Sequence, residues 1–332
     1  MKRTQVNKAM AALALVITGC FGAVHAAEPV QRQPVLDVNF PDPFVLVTKD
    51  GLAAYATNGG VGNRHLNVQF SRSADGLTWS APVDAMPRTP SWARRYGPDI
   101  WAPEVMKIGD KYVMYFSARH ARKLRPDGLT LCVGAAVADA PEGPFRPQSE
   151  PLTCGGDIGA IDANPFRDGD DLWLYVKTDG NCCGVPTGIV AQRLSADGLS
   201  LTGEPHLVSG VINDMPWEGG VVEATQMIKR GPIYWMFYAG NDYSNEKYAT
   251  GYAMCKTPIG PCLDAKENPI LQSEPGNPPL TGPGHQSLFE IDGDMWIAYH
   301  GWLGSDADRN RRRVMYIDLV DWSTGLPVIV AR

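Results

Sequence analysis

Apolar and polar positions alternate along this chain in short, strand-length runs, and the runs fall into one phrase repeated five times. Each phrase opens on a polar residue set among small, proline or apolar neighbours. A turn follows, then an aromatic run ending in Tyr or His. The copies are Pro41-Asp42-Pro43-Phe44 with Leu52-Ala53-Ala54-Tyr55, and Trp101-Ala102-Pro103-Glu104 with Tyr112-Val113-Met114-Tyr115-Phe116. Next come Ile161-Asp162-Ala163-Asn164-Pro165-Phe166 with Leu172-Trp173-Leu174-Tyr175, and Val222-Glu223-Ala224-Thr225 with Tyr234-Trp235-Met236-Phe237-Tyr238. The last is Gly284-His285-Gln286-Ser287 with Met295-Trp296-Ile297-Ala298-Tyr299-His300. The leading residues Asp42, Glu104, Asp162, Glu223 and His285 recur about every 60 residues, too long for an ordinary solenoid and in reach of a propeller blade. The pattern therefore predicts an all-β fold, a five-bladed β-propeller. In such a fold the first strand of every blade lines the central channel. The five polar residues, taken as equivalent positions, would point at one axis and place the active site at one end of that channel.

Turn signals between the runs support hairpins: Lys49-Asp50-Gly51, Gly109-Asp110, Asp168-Gly169-Asp170, Asp197-Gly198 and Asp292-Gly293-Asp294. With 35 Gly, 27 Pro and no long stretch at helical period, one large all-β domain fits better than two smaller ones. That domain is expected over residues 34–332. Before it, Lys2-Arg3 and Lys8 precede a short apolar run, Ala9 to Val16, and Val24-His25-Ala26 offers a small-residue cleavage site. Residues 1–26 therefore read as a secretory signal, too short to span a bilayer. Ile17-Thr18-Gly19-Cys20 also resembles a lipobox, so a lipid anchor at Cys20 is the alternative. Both readings export the protein, secreted or periplasmic, and a monomer is expected.

A net charge of −6 without a large basic patch argues against nucleic acid as a partner and makes a neutral ligand the default. Six cysteines beyond the signal, an even number in an exported chain, point to disulfides. Cys255 and Cys262 flank a turn that would bring them together, and Cys132 with Cys154 is the next natural pair. Cys182 and Cys183 either bridge each other or cross to other partners. Zinc is disfavoured, since neither a Cys-x-x-Cys pair nor a close His accompanies them.

Converging carboxylates suit one chemistry in particular. Glycosidic hydrolysis needs a protonated carboxyl to serve the leaving oxygen and an ionised one to activate water or attack carbon. A third carboxylate beside the acid raises its pKa by like-charge repulsion. Asp42, Asp162 and Glu223 supply the set, but the residues alone do not rank them by role.

The chain resembles glycoside hydrolase family 43, the five-bladed arabinanases, arabinofuranosidases and β-xylosidases. The motifs are Asp42-Pro43-Phe44, Trp101-Ala102-Pro103-Glu104, Gly159-Ala160-Ile161-Asp162 through Phe166, and Val222-Glu223-Ala224. Gly282-Pro283-Gly284-His285-Gln286-Ser287, Tyr299-His300-Gly301 and Arg313-Val314-Met315-Tyr316-Ile317 complete an ordered series over nearly the whole mature chain. The resemblance implies an inverting mechanism with Asp42 as general base, Glu223 as general acid, and Asp162 raising and orienting the acid. It implies that Glu104 is a structural or hydroxyl-binding carboxylate. It sets His285 at the channel centre, often near a calcium in relatives. Such a calcium would be structural, since hard cations prefer oxygen, and no cofactor is required for the chemistry. Arg313, last of the basic run from Arg309, is expected in the pocket, with Trp101 and Trp217 as sugar platforms. Lys177 to Asn181 resembles a pocket-rim stretch, with Asn181 binding substrate.

Two departures stand out. Ala224-Thr225 follows Glu223 where many members have Gly-Pro or Ala-Pro. The chain also ends soon after the fifth phrase, near Leu319-Val320-Asp321-Trp322, without the β-sandwich of many related β-xylosidases, which favours arabinose. The expected activity is release of α-L-arabinofuranosyl units from the plant cell-wall polysaccharides arabinan or arabinoxylan. The alternatives are a β-xylosidase on xylo-oligosaccharides and a non-catalytic glycan-binding propeller. The loops Pro87 to Asp99 and Asn241 to Tyr248 are expected to decide endo against exo action.

Overall fold

The computed structural model describes residues 31–125, 128–211, 213–304 and 311–332. The expected signal at 1–26, Cys20 within it, and Arg309 of the basic run lie outside the described residues. Five four-stranded antiparallel sheets follow one another along the chain, each strand pairing with the next of its own sheet. Their first strands are Phe44–Thr48, Trp101–Ile108, Ala160–Asp168, Val222–Arg230 and Thr281–Ile291. Each of these lies beside the first strands of its two neighbours, the last beside the first, so the five close a ring around a channel. This is the five-bladed propeller that the repeated phrase predicts. Lys49-Asp50, Gly109-Asp110, Gly169-Asp170 and Asp292-Gly293 make the tight turns from first to second strands, as their composition requires.

The second strands, Gly51–Ala56, Lys111–Arg125, Asp171–Thr178, Ile233–Gly240 and Asp294–Leu303, carry the aromatic runs. Tyr55, Tyr115 and Tyr175 are wholly buried, and burying such a ring removes roughly 150–250 Å² from water. Each hydroxyl still finds an acceptor, which explains Tyr rather than Phe. Tyr55 donates to the Pro141 carbonyl, Tyr115 to Gly198 and Tyr175 to Pro258, in each case in the outer turn of the following blade. The repeat thus ties blade to blade. The ring is closed by the segment before the first blade, where Val35 N–H donates to Met315 O and Phe40 N–H to Arg313 O in the fifth blade.

Three disulfides join Cys132 to Cys154, Cys182 to Cys183 and Cys255 to Cys262. The last pair stands directly opposite across a hairpin of the fourth blade.

The register corrects one expectation. Asp42, Ala102, Asp162, Ala224 and His285 each stand two residues before an equivalent cross-strand pair, and each has a left-handed backbone, with φ of 56°, 46°, 54°, 50° and 52°. L-residues adopt that conformation at a cost of about 1–2 kcal/mol. The backbone kinks there, and in the last four blades it leaves a bulge. Glu104 and Glu223 are therefore not equivalent to Asp42, Asp162 and His285. Glu104 lies two residues after the kink and Glu223 one before it. Alanine fills the kink in blades two and four.

Candidate active site

The kink residues of four blades, Asp42, Ala102, Asp162 and His285, line a cavity of about 320 Å³. Asp42, Asp162 and Glu223 all line it, together with His285, Arg313, Trp101 and Asn181. A volume near 300 Å³ is at the small end of ligand pockets and suits a few sugar units at most.

Asp42 is held on both oxygens. Thr57 Oγ1 donates to Oδ2 at 2.5 Å, and Arg313 Nη1 donates to Oδ1 at 2.8 Å. The Nδ1 atoms of His285 and His300 lie 3.5 and 3.3 Å from Oδ1. Burial alone would raise this carboxyl, but the Arg313 guanidinium, with His285 after it, outweighs it and holds Asp42 well below the usual carboxylate range. His300 is pushed down to about 4, chiefly by burial, and so is neutral at neutral pH. Its Nδ1 accordingly accepts the Asp42 backbone N–H at 3.2 Å.

Asp162 is governed by the opposite balance. Burial comes first, Glu223 and Asp42 repel its charge, and despite His285 and Lys177 it is raised to about 6. Its Oδ2 accepts the N–H of Ala224, the residue after Glu223, at 3.2 Å. Glu223 is also fixed at both oxygens, by Lys177 Nζ at 2.7 Å and by the Tyr248 hydroxyl at 2.9 Å. Burial works against the Lys177 charge, yet Glu223 and Asp162 hold its pKa above the ordinary lysine value. Burial and the nearby carboxylates keep Tyr248 protonated as a donor.

These contacts follow from a second column of residues. Two positions beyond the equivalent pair on each second strand stand Thr57, Ser117, Lys177, Ala239 and His300. Four of them reach forward to the next blade. Thr57 accepts from Ala102 N–H, Ser117 from Asp162 N–H and His300 from Asp42 N–H, while Lys177 grips Glu223. Lys177, Tyr248 and His300 were not singled out as site residues from the sequence, and Lys177 is buried rather than at a rim. The available signal was a lysine at the end of the apolar run Leu172-Trp173-Leu174-Tyr175-Val176, where other copies carry Thr, Ser, Ala or His.

The remaining expected residues divide. Trp101 lines the cavity with its ring half-buried, the Arg119 guanidinium 5.6 Å away. Asn181 is exposed at the rim on the 3₁₀ turn Gly180–Cys183. Trp217 does not line the cavity. Its ring packs 5.3 Å from Tyr238 and lies over Gly240 and Gly251, where an added Cβ would come within 2.6 and 2.7 Å of it. Trp217 therefore packs within the fourth blade instead of facing the cavity; the aromatic that reaches the cavity is Tyr243, 4.8 Å from the Arg313 guanidinium. Glu104 is likewise outside the cavity lining. It accepts the Asn164 Nδ2–H at 2.7 Å, and burial raises its pKa well above the ordinary value.

Of the two loops expected to shape the mouth, Asn241 to Tyr248 does so through Tyr243. None of Pro87 to Asp99 lines the cavity. That loop instead braces the long hairpin of the second blade, through Arg94 N–H to Arg119 O and Ala121 N–H to Trp92 O. It is the hairpin that supplies a wall, at Arg125 and Leu131.

The side chains around His285 do not by themselves make a calcium site. A calcium ion takes six to eight oxygen ligands, whereas among the described residues no group of three or more His, Cys, Asp or Glu converges to hold a metal.

Residues 31–327 match the family Glycosyl hydrolases family 43. Extracellular endo-alpha-(1->5)-L-arabinanase 1 of Bacillus subtilis (strain 168) is 23% identical over 302 residues, covering 86% of this chain and 86% of that protein. Extracellular exo-alpha-(1->5)-L-arabinofuranosidase ArbA of Cellvibrio japonicus (strain Ueda107) is 23% identical over 299 residues, covering 81% and 80%. Among solved structures, a thermostable family-43 glycoside hydrolase superposes with a TM-score of 0.76 at 27% identity, covering 91% of this chain and 97% of that one.

Proposed function

The chain belongs to glycosyl hydrolases family 43, and we propose that it is an inverting enzyme releasing α-L-arabinofuranosyl units from plant cell-wall arabinan or arabinoxylan. The observation that carries this reading is the opposite tuning of two carboxyls across one cavity. Asp42 is kept ionised by Arg313, while Asp162 is raised to about 6 by burial and by the neighbouring Glu223 charge. Arabinose is favoured because relatives spanning most of the chain are named as arabinanases and an arabinofuranosidase.

In the proposed step, Asp42 takes a proton from water as the water oxygen attacks the anomeric carbon from one face. The glycosidic bond breaks, and Glu223 gives its proton to the departing oxygen on the other. The three carboxylates face two cations, Lys177 and Arg313, while Arg125 and Asp179 pair with each other. One proton, held on Asp162, therefore leaves the cluster neutral, and Lys177 and Tyr248 fix the orientation of Glu223 beside it. The propeller of residues 34–332 works outside the cytoplasm as a monomer, behind the signal at 1–26, in keeping with relatives named extracellular.

Product analysis tests the assignment, using linear arabinan, arabinoxylan and xylo-oligosaccharides as substrates. Arabinose or arabino-oligosaccharides are the expected products. Xylose alone would move the substrate to xylosides, and binding without any released sugar would overturn the enzymatic reading.

The pH profile of kcat/KM is a second test. Activity needs Asp42 ionised, so it fails as pH falls through a pKa well below the usual carboxylate range. It also needs the proton that Asp162 holds beside the acid, so it declines as pH rises past about 6. Arg313→Met removes the cation that holds Asp42 down, and should move the acid limb upward by about 1 unit or more. An acid limb that stays in place would show that Asp42 does not set it.

A further inference from the structure

Cys182 and Cys183 are bonded to each other within the turn Gly180–Cys183, and Cys182 lines the cavity beside Asn181. The other two disulfides are buried and join separate segments, whereas both cysteines of this one are partly exposed. A bridge between neighbours closes no chain loop, so the loop entropy through which disulfides stabilise a fold is nearly absent. What it does is stiffen one dipeptide and hold Cys182 at the cavity wall. The turn is anchored from both sides. Asp179 pairs with Arg125 of the second-blade hairpin, Arg125 also donates to Ile158 O at 3.3 Å, and Val185 N–H donates to Gly180 O at 3.0 Å.

The same segment is bonded to the strand that carries Glu223. Lys177, just before it, holds Glu223, and Thr187, just after it, exchanges hydrogen bonds with Val222, accepting its N–H at 2.7 Å and donating to its carbonyl at 3.1 Å. The turn therefore stands on the side of the cavity where the leaving oxygen is protonated. We propose that the bridged turn is the platform for the leaving-group sugar. Its polarisable, apolar sulfurs would pack against a C–H face of the ring, and the Asn181 amide would take up hydroxyls. Fixed in advance, the surface binds without an ordering cost. This inference rests on Glu223 being the acid.

The test compares two substrates: an oligosaccharide that the native enzyme cleaves, and the 4-nitrophenyl glycoside of the same released sugar, whose leaving group is not a sugar. Each is assayed with the native protein, with the double variant Cys182→Ser/Cys183→Ser, and with native protein under mild reduction, which spares the buried bridges. The expected result is a kcat/KM on the oligosaccharide that falls about tenfold further than on the aryl glycoside, mainly through KM, as loss of one apolar contact would give. Equal losses on both substrates, or none on either, would overturn the platform. Hydrolysis of the aryl glycoside by native protein stands or falls with the glycosidase reading alone, so the two failures are told apart.

Discussion

Glu223→Ala should lose about 10²–10⁴-fold in kcat on natural linkages, the usual contribution of a positioned general acid, and far less on a 2,4-dinitrophenyl glycoside. The reason is the leaving group. A sugar alkoxide departs only with a proton, whereas dinitrophenolate departs without one. Folding should survive. The variant leaves Lys177 without its closest partner, but Asp179 Oδ1 lies 3.9 Å from the same Nζ and Asp162 also favours the charge. Glu223→Gln is the companion variant, because it keeps two polar atoms facing Lys177 and Tyr248. The measurement is a series of aryl glycosides of graded leaving-group acidity. Glu223→Ala should show a rate that climbs steeply with that acidity, against a shallow dependence in the native enzyme. Parallel slopes would remove Glu223 from the acid role and turn attention to Asp162, the carboxyl whose proton is held to about 6.

The fold was legible because the repeat writes itself twice, once in the polar openings and once in the aromatic runs. Tyr55, Tyr115 and Tyr175 are spaced by 60 because each makes the same bond to the next blade. The site was legible only where chemistry and spacing coincide. Asp42, Asp162 and His285 share the kink, so their common period reflects a common place. Glu104 and Glu223 merely fall near it, since a shift of one or two residues changes the period of 60 by a few per cent while re-aiming the side chain. Periodicity finds blades at that precision, but not registers.

The tryptophans illustrate a second limit. Trp101 and Trp217 look alike in sequence, each just ahead of a leading residue. Gly240 and Gly251 settle the difference, because their missing side chains make the slot that Trp217 fills. Those glycines lie well along the chain from it, and only the paired strands bring them together. Lys177 was hidden for a related reason. A buried lysine is costly unless paired, and its partner, Glu223, is 46 residues away on another blade.

Asp42→Asn should be the more complete loss, roughly 10²–10⁴-fold in kcat whatever the leaving group, with KM little changed. The amide keeps the shape of the carboxyl: its oxygen still accepts from Arg313, and its NH2, in place of Oδ2, donates to the Thr57 hydroxyl oxygen, so circular dichroism and thermal unfolding should report a folded protein. What disappears is the base that takes the water proton. Two readouts separate this from general damage. Azide needs no deprotonation and should restore turnover of an activated aryl glycoside, the glycosyl azide forming with inverted configuration at the anomeric carbon. In the native enzyme, the first sugar seen by NMR should likewise be the inverted anomer, before mutarotation scrambles it. A retained anomer would mean that a carboxylate attacks carbon directly, and the roles given to Asp42 and Glu223 would have to be exchanged for those of a nucleophile and an acid–base pair. The Arg313 contact at 2.8 Å keeps Asp42 ionised in either case, so the configuration of the first product is the readout that separates base from nucleophile.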